Sequence, residues 1–215
     1  HFQQSTNMRI QFFVDAKTGA KSIQDIKDKK IPLRITVNRQ GTLIDVATEE
    51  LLKTYGITYS DIAKWGGKVH KIPGPEATDL WDAGQMDAIV EVSQFPTSRF
   101  YELGQKHDLI MLPIDPANQE KLNKELGTSS LPIPAGTYSF QKEDCPTVSS
   151  QLLLITSADQ PDEVITGVLK AMTANIDYLH SVHANLRDLS PETMSANTSI
   201  PMHPAAEKFF RELKK

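Results

Sequence analysis

The 215-residue sequence predicts an α/β protein whose mainly parallel sheets are flanked by helices. Three observations carry this expectation. Short apolar runs of strand character alternate with runs of helical period, which is the pattern of parallel strands joined by crossover helices. Glycine or proline punctuates most of the junctions. Hydrophobic residues make up 39% of the chain, enough to build cores on both faces of a sheet.

Taken in order, Met8 to Val14 (MRIQFFV) reads as a strand and Asp15 to Gly19 as the turn that ends it. Ser22 to Ile26 is a short helical turn, with Ser22 as cap and Asp25 three residues on. Leu33 to Val37 is a strand, followed by the tight loop Asn38-Arg39-Gln40-Gly41. Thr42 suits the N-cap of a helix on which Leu43, Ile44, Ala47, Leu51 and Tyr55 recur at helical spacing before Gly56. Lys68 to Ile72 is a strand, Pro73-Gly74-Pro75 a turn, and Glu76 to Ala83 a helix closed by Gly84. The strand Asp87 to Val92 leaves through Ser93-Gln94-Phe95-Pro96 into a helix from Thr97 to Leu103, with Gly104 after it. Asp108 to Leu112 is a further strand, and Asn118 to Leu126 a helix ended by Gly127. A loop holds Leu131 to Phe140. Gln151 to Thr156 reads as a buried strand, Asp162 to His180 as one long helix behind Pro161, and Pro204 to Leu213 as a last helix.

Charge and composition exclude some classes. The formal net charge of −4 argues against nucleic acid, which needs a basic patch to neutralise phosphates. It leaves room for an anionic ligand in a locally positive site. The single cysteine, Cys145, rules out an internal disulfide and a cysteine-rich metal site. No run approaches the roughly 18 apolar residues of a membrane span. The start, His1-Phe2-Gln3-Gln4, has no basic and apolar signal-peptide pattern.

In open α/β sheets, ligands gather beyond the carboxyl ends of the strands. Three segments have the right character. Asn38, Arg39, Gln40, Gly41 and Thr42 follow a strand and open a helix, so backbone amides, the helix dipole and the Arg39 guanidinium favour an anion. The competing reading is a capped helix with Arg39 in solvent. Ser93, Gln94, Phe95, Pro96 and Thr97 offer hydroxyl, amide and aromatic groups, the usual lining of a small-molecule pocket; Phe95 in the core is the alternative. Thr137 and Tyr138 sit in a Gly/Pro-rich loop, where a tyrosine either closes over a ligand or pins the loop to the core.

Catalytic constellations are poor. His180 and His183 lack a nearby carboxylate and make a weak metal pair. His70, His107 and His203 have no recognisable partner set. No GxSxG elbow is present, and the acidic flank of Cys145 raises a thiol pKa. No catalytic residue, metal or cofactor is assigned. Trp65-Gly66-Gly67 reads as a packed turn into the Lys68 strand, with a ligand role as the alternative.

Several motifs carry a family resemblance. Residues 21–30 (KSIQDIKDKK) with the Ile35 strand are similar to the SIxDLKGKxVxVG opening of type II solute-binding proteins. More specific are Tyr55 to Ile62 (YGITYSDI), Asp82 to Ala88 (DAGQMDA), Ile133 to Tyr138 (IPAGTY), Asp144 to Val148 (DCPTV) and Ile200 to Phe210 (IPMHPAAEKFF). In this order, over residues 8 to 213, they resemble the TAXI family, receptors of a class of TRAP transporters. The resemblance implies a type II periplasmic-binding-protein-like fold of two α/β lobes around a cleft. It implies an extracytoplasmic receptor, without catalysis, that passes a glutamate-like or other carboxylate solute to TRAP membrane permease subunits. On this pattern residues 16–145 form a complete second lobe, residues 1–15 and 146–215 part of the first, and the family's N-terminal segment is lacking. The chain also departs from the pattern at the loop Asn38 to Gly41, at Cys145 and at Ala205. An incomplete lobe is expected to self-associate through the 8–14 and 151–156 strands or the 162–180 helix. An effector-sensing domain of a transcription regulator shares this fold; a winged helix-turn-helix upstream would mark it. An enzyme would need a nucleophile or metal set.

Overall fold

Alternation along one strand organises most of the chain. The computed structural model describes residues 2–3, 8–150, 153–182, 186–196 and 200–213. They fall into two compact units: residues 8–150, and residues 1–7 with 151–215.

In the larger unit, strand β2 (Met8–Asp15) turns Ile10, Phe12 and Val14 to one side of the sheet and Phe13 to the other. Four strands run against it in direction: β3 (Arg34–Thr36), β4 (Lys68–His70), β5 (Ala88–Ser93) and β6 (Leu109–Met111). β3 pairs in parallel with β4 and β5, and β2 is antiparallel to β5 and β6. β8 (Val148–Ser150) also runs antiparallel to β2, and β7 (Ser129–Ser130) pairs antiparallel with β8. Five of the seven strands thus share a direction. Because β2 stands among them, most ladders are nevertheless antiparallel.

Helices cover both faces. One face carries α1 (Ile23–Asp28), α2 (Leu43–Thr54), α3 (Tyr59–Lys64) and α6 (Pro116–Leu126), packed through Ile23, Ile26, Leu51, Leu52, Ile62 and Leu122. The other carries α4 (Gly74–Asp82), α5 (Ser98–Lys106) and the loop through Tyr138, packed through Trp81, Phe100, Leu103 and Tyr138 around Phe13.

The smaller unit has a two-stranded sheet, β1 (Phe2–Gln3) with β9 (Leu153–Leu154). Its helices are α7 (Asp162–Ala174), α8 (Ile176–Val182), α9 (Pro191–Ser195) and α10 (Pro204–Leu213), with Leu169, Leu189, Met194 and Phe210 at the centre.

Several boundaries differ from expectation for local reasons. Helix α5 runs through Gly104 to Lys106. The glycine is there because the Phe140 ring presses on the helix, where a Cβ would lie 2.5 Å from it. The 162–180 helix breaks at Asn175, whose side chain donates to the Ala171 carbonyl. Residues 151 and 152 of the 151–156 strand lie outside the described residues. Trp65-Gly66-Gly67 does form the turn into β4, with the Lys68 N–H donating to the Leu33 carbonyl at 2.8 Å.

Residues 8–15 belong to the larger unit, not to the remainder, since β2 is the strand that its sheet is built around. The 8–14 strand is therefore not free to pair with a second chain. One edge is taken by β5; along the other lie β6, β8, the Leu112 N–H on the Phe12 carbonyl and the Thr147 hydroxyl on the Ile10 carbonyl.

Candidate functional site

The parallel strands β3, β4 and β5 end toward the loops 37–42, 71–73 and 94–97. These loops open α2, α4 and α5. Two of the three segments singled out in the sequence lie on this edge, and they are built differently.

In the first loop Asn38 adopts a left-handed conformation (φ 65°) and its Oδ1 accepts from the Arg39 N–H at 2.7 Å. Thr42 caps α2, accepting from the Asp45 N–H at 3.4 Å. The loop's anion position is filled from within. Asp45, 5% exposed, accepts from the Gly41 N–H at 2.9 Å, from the Tyr59 hydroxyl at 3.0 Å and from the Lys71 ammonium. Burial alone would raise the Asp45 carboxyl, but Lys71, the Gly41 amide and Tyr59 together outweigh it and hold the group below its ordinary value. Arg39 and Gln40 are exposed. The helix dipole and the Gly41 N–H thus already face a carboxylate of the chain itself, which weakens the case for residues 38–42 as an anion site.

The second loop is braced from a distance. Its peptide Phe95–Pro96 is cis. At one end the Thr97 N–H donates to the Tyr138 hydroxyl at 3.2 Å, and that hydroxyl donates to Gln11 Oε1 at 2.6 Å. At the other end Gln11 Nε2 donates to the Ser93 hydroxyl at 3.0 Å. One buried glutamine from β2 thus fixes both ends of residues 93–97. Register explains it, since Gln11 lies opposite Glu91 and Arg9 opposite Ser93, which puts these side chains on one face. Arg9 is 7% exposed, donates to the Ser149 hydroxyl at 2.9 Å, and lies 5.4 Å from the centroid of the Phe95 ring. Phe95 is half-buried and packs against the Phe13, Phe100 and Tyr138 cluster, Gln94 and Thr97 are half-buried, and Pro96 is exposed.

Tyr138 is fully buried. It stacks on Phe140 and meets Phe13 edge-on, so it is the pin of its loop and not a lid over a ligand. Burial raises its phenol; the Thr97 hydrogen bonds and the Arg99 charge act in the opposite sense, and Glu91 adds to the rise. Thr137 is half-buried and its hydroxyl donates to the Pro134 carbonyl at 2.7 Å.

Gln11, Arg9, Lys71 and Arg99 were not singled out from the sequence. The strand alternation puts Arg9 and Gln11 on the face of Phe13, which is the available signal for the first two. Cys145 is buried, and burial pushes its thiol up to about 12, so desolvation and not its acidic flank keeps it unreactive. His180 bonds the Leu189 carbonyl at 2.7 Å, and His183 lies outside the described residues. His107 pairs with Asp82 at 2.7 Å. Among the described residues no three His, Cys, Asp or Glu come together as a metal set. None of the described helices is long and apolar enough to cross a membrane.

Residues 4–213 match the model of the NMT1-like family, and the chain belongs to that family. The match is to this family and not to the TAXI family that the sequence motifs resemble. Solved structures similar to the chain include the periplasmic sulfonate-binding protein SsuA of a sulfonate ABC transporter from Methylobacillus flagellatus. It is 12% identical, covers 96% of this chain and 50% of its own, and has a TM-score of 0.47. The alkanesulfonate-binding protein SsuA from Xanthomonas axonopodis pv. citri, bound to MOPS, is 13% identical over 98% of this chain and 57% of its own, with a TM-score of 0.41. The periplasmic aliphatic sulphonate binding protein SsuA from Escherichia coli is 12% identical over 96% and 52%, with a TM-score of 0.42. The chain spans about half the length of these structures, and likenesses this loose carry no argument about its solute.

Proposed function

From membership of the NMT1-like family, we propose that the chain is part of an extracytoplasmic solute-binding receptor. Residues 8–150 form one lobe and present one wall of its cleft. The receptor takes a small carboxylate solute and passes it to a membrane permease of the TRAP type. The reaction is capture and release, with no covalent step.

One observation carries this reading: the loop 93–97 is held at both ends by Gln11 and Tyr138 at the carboxyl end of β5. A binding loop gains affinity when its geometry is fixed before the ligand arrives. The Ser93 hydroxyl accepts from Gln11, which leaves its own O–H to donate to a solute oxygen. The Phe95 ring offers an apolar face with the Arg9 cation behind it. The order of the TAXI-like motifs supports the TRAP assignment. An alkanesulfonate, an oxyanion of different geometry, serves as the comparison solute.

Calorimetric titration with L-glutamate, succinate and ethanesulfonate tests the solute class. A carboxylate is expected to bind, and Ser93→Ala to weaken it about tenfold. Absence of binding by every one of these anions would sink the receptor reading. Because one wall only is proposed, the 215-residue stretch alone is expected to bind weakly. Genes for TRAP integral-membrane subunits beside this one support that permease; genes for ABC ATPase subunits would replace it.

A further inference from the structure

Strand β5 enters the braced loop past a second ion pair. Glu91 and Ser93 share a face, because residues two apart in a strand point the same way. Arg99, in the first turn of α5, reaches back so that its Nη2 donates to Glu91 Oε2. The other carboxylate oxygen of Glu91 accepts from the Val92 N–H at 3.2 Å. The guanidinium of Arg99 lies against the bare Cα of Gly74, the first residue of α4. A Cβ there would come within 1.6 Å of Nη1, so only glycine leaves room for the cation. The buried Nε has no hydrogen-bond partner among the described residues. A guanidinium carries five N–H donors in a rigid fork, and one carboxylate in this geometry does not use them all. The side chain of Arg99 is 25% exposed and that of Glu91 12%, so the cation is the more accessible member of the pair.

We propose that Arg99 anchors the charged headgroup of the solute and that Glu91 is its resident counter-ion, displaced from the guanidinium when a carboxylate or sulfonate enters. The inference rests on the receptor reading and deepens it. Glu91 and the Gly74 cradle hold the guanidinium in place at the mouth of the braced loop, so little side-chain ordering is left for the binding step. The same carboxylate opposes the arriving anion, and affinity is set by the exchange of one oxyanion for another on a single guanidinium. Uncharged solutes, which cannot displace Glu91, are excluded.

The complete protein is titrated by calorimetry with succinate, L-glutamate and ethanesulfonate, as wild type and as Glu91→Gln, Arg99→Gln and Arg99→Lys, with thermal unfolding of each. Arg99→Gln is expected to weaken the bound anion at least about tenfold, and Arg99→Lys to recover part of that loss without the two-pronged contact. Glu91→Gln is expected to tighten it roughly tenfold while lowering the melting temperature, two effects of opposite sign that a merely structural ion pair would not produce. The ranking of succinate against ethanesulfonate tells which oxyanion is taken. Binding by the wild type that is unchanged or weaker in Glu91→Gln overturns this inference and leaves the receptor reading standing. No anion bound by any variant overturns the receptor reading itself. Should Arg99→Gln fail to fold, the opposite sign expected of Glu91→Gln still decides.

Discussion

The loops 38–42 and 93–97 make the same local move, strand into helix at the carboxyl edge of one sheet, and they are put to different uses. The first closes on itself. Asp45, three residues beyond its own cap, turns back onto the Gly41 amide and draws in Tyr59 and Lys71. The second is held by groups from far away in the chain, Gln11 and Tyr138, and leaves Ser93 and Phe95 partly exposed. A helix N-terminus is an anion site only when the chain has not already supplied the anion.

The largest effect is expected at the closed loop. Asp45→Ala removes the carboxylate that three donors share and should destabilise the protein by roughly 2–4 kcal/mol in urea unfolding. Its pH dependence follows in sign. The folded carboxyl is held below its unfolded value, so its stabilisation is complete above an unfolded pKa of about 3.9. It is lost as pH falls through the folded value. Asp45→Asn should lack that part of the acid sensitivity. An acid-unfolding curve identical to wild type would show the first loop to be held by something other than this carboxylate.

Next comes the brace. Tyr138→Phe keeps the ring packing and removes the hydroxyl, which leaves Gln11 Oε1 and the Thr97 N–H without that partner. The expected destabilisation is about 1–3 kcal/mol, with weaker solute binding in the same variant. Full stability with unaltered affinity would mean that the second loop needs no brace. The smallest effect is expected at Arg39→Ala. The side chain is exposed, so stability should stay within about 0.5 kcal/mol and affinity nearly unchanged. A tenfold loss of solute affinity in that variant would return residues 38–42 to the ligand wall.

Helices with strong local signals were legible. Ser22 and Thr42 cap as expected, and α10 spans the expected residues. Two short helices escaped although their caps were written in the sequence, Thr58 with Asp61 for α3 and Ser190 with Thr193 for α9. At five or six residues such helices have almost no periodicity and are legible only through their caps, as α1 was through Ser22. The strands β7 and β8 carry no pattern of their own and exist through pairing, β8 with β2 and β7 with β8.

For the site, composition and turn chemistry identified the segments, and contact decided their roles. Tyr138 in a Gly/Pro-rich loop was open to two uses, and burial of the whole ring chose the pin. Gln11 and Glu91 are far apart in sequence and meet because β2 pairs with β5 in one register. The sequence alone determined the α/β class, the order of the longer strands and helices and the two strand-exit loops, because these follow from periodicity and turn residues within a few positions. Only the tertiary structure decided which loop is satisfied from its own helix and which is braced from far along the chain. That choice depends on where a distant carboxylate, phenol or glutamine comes to lie, and chain folding, not local propensity, sets those distances.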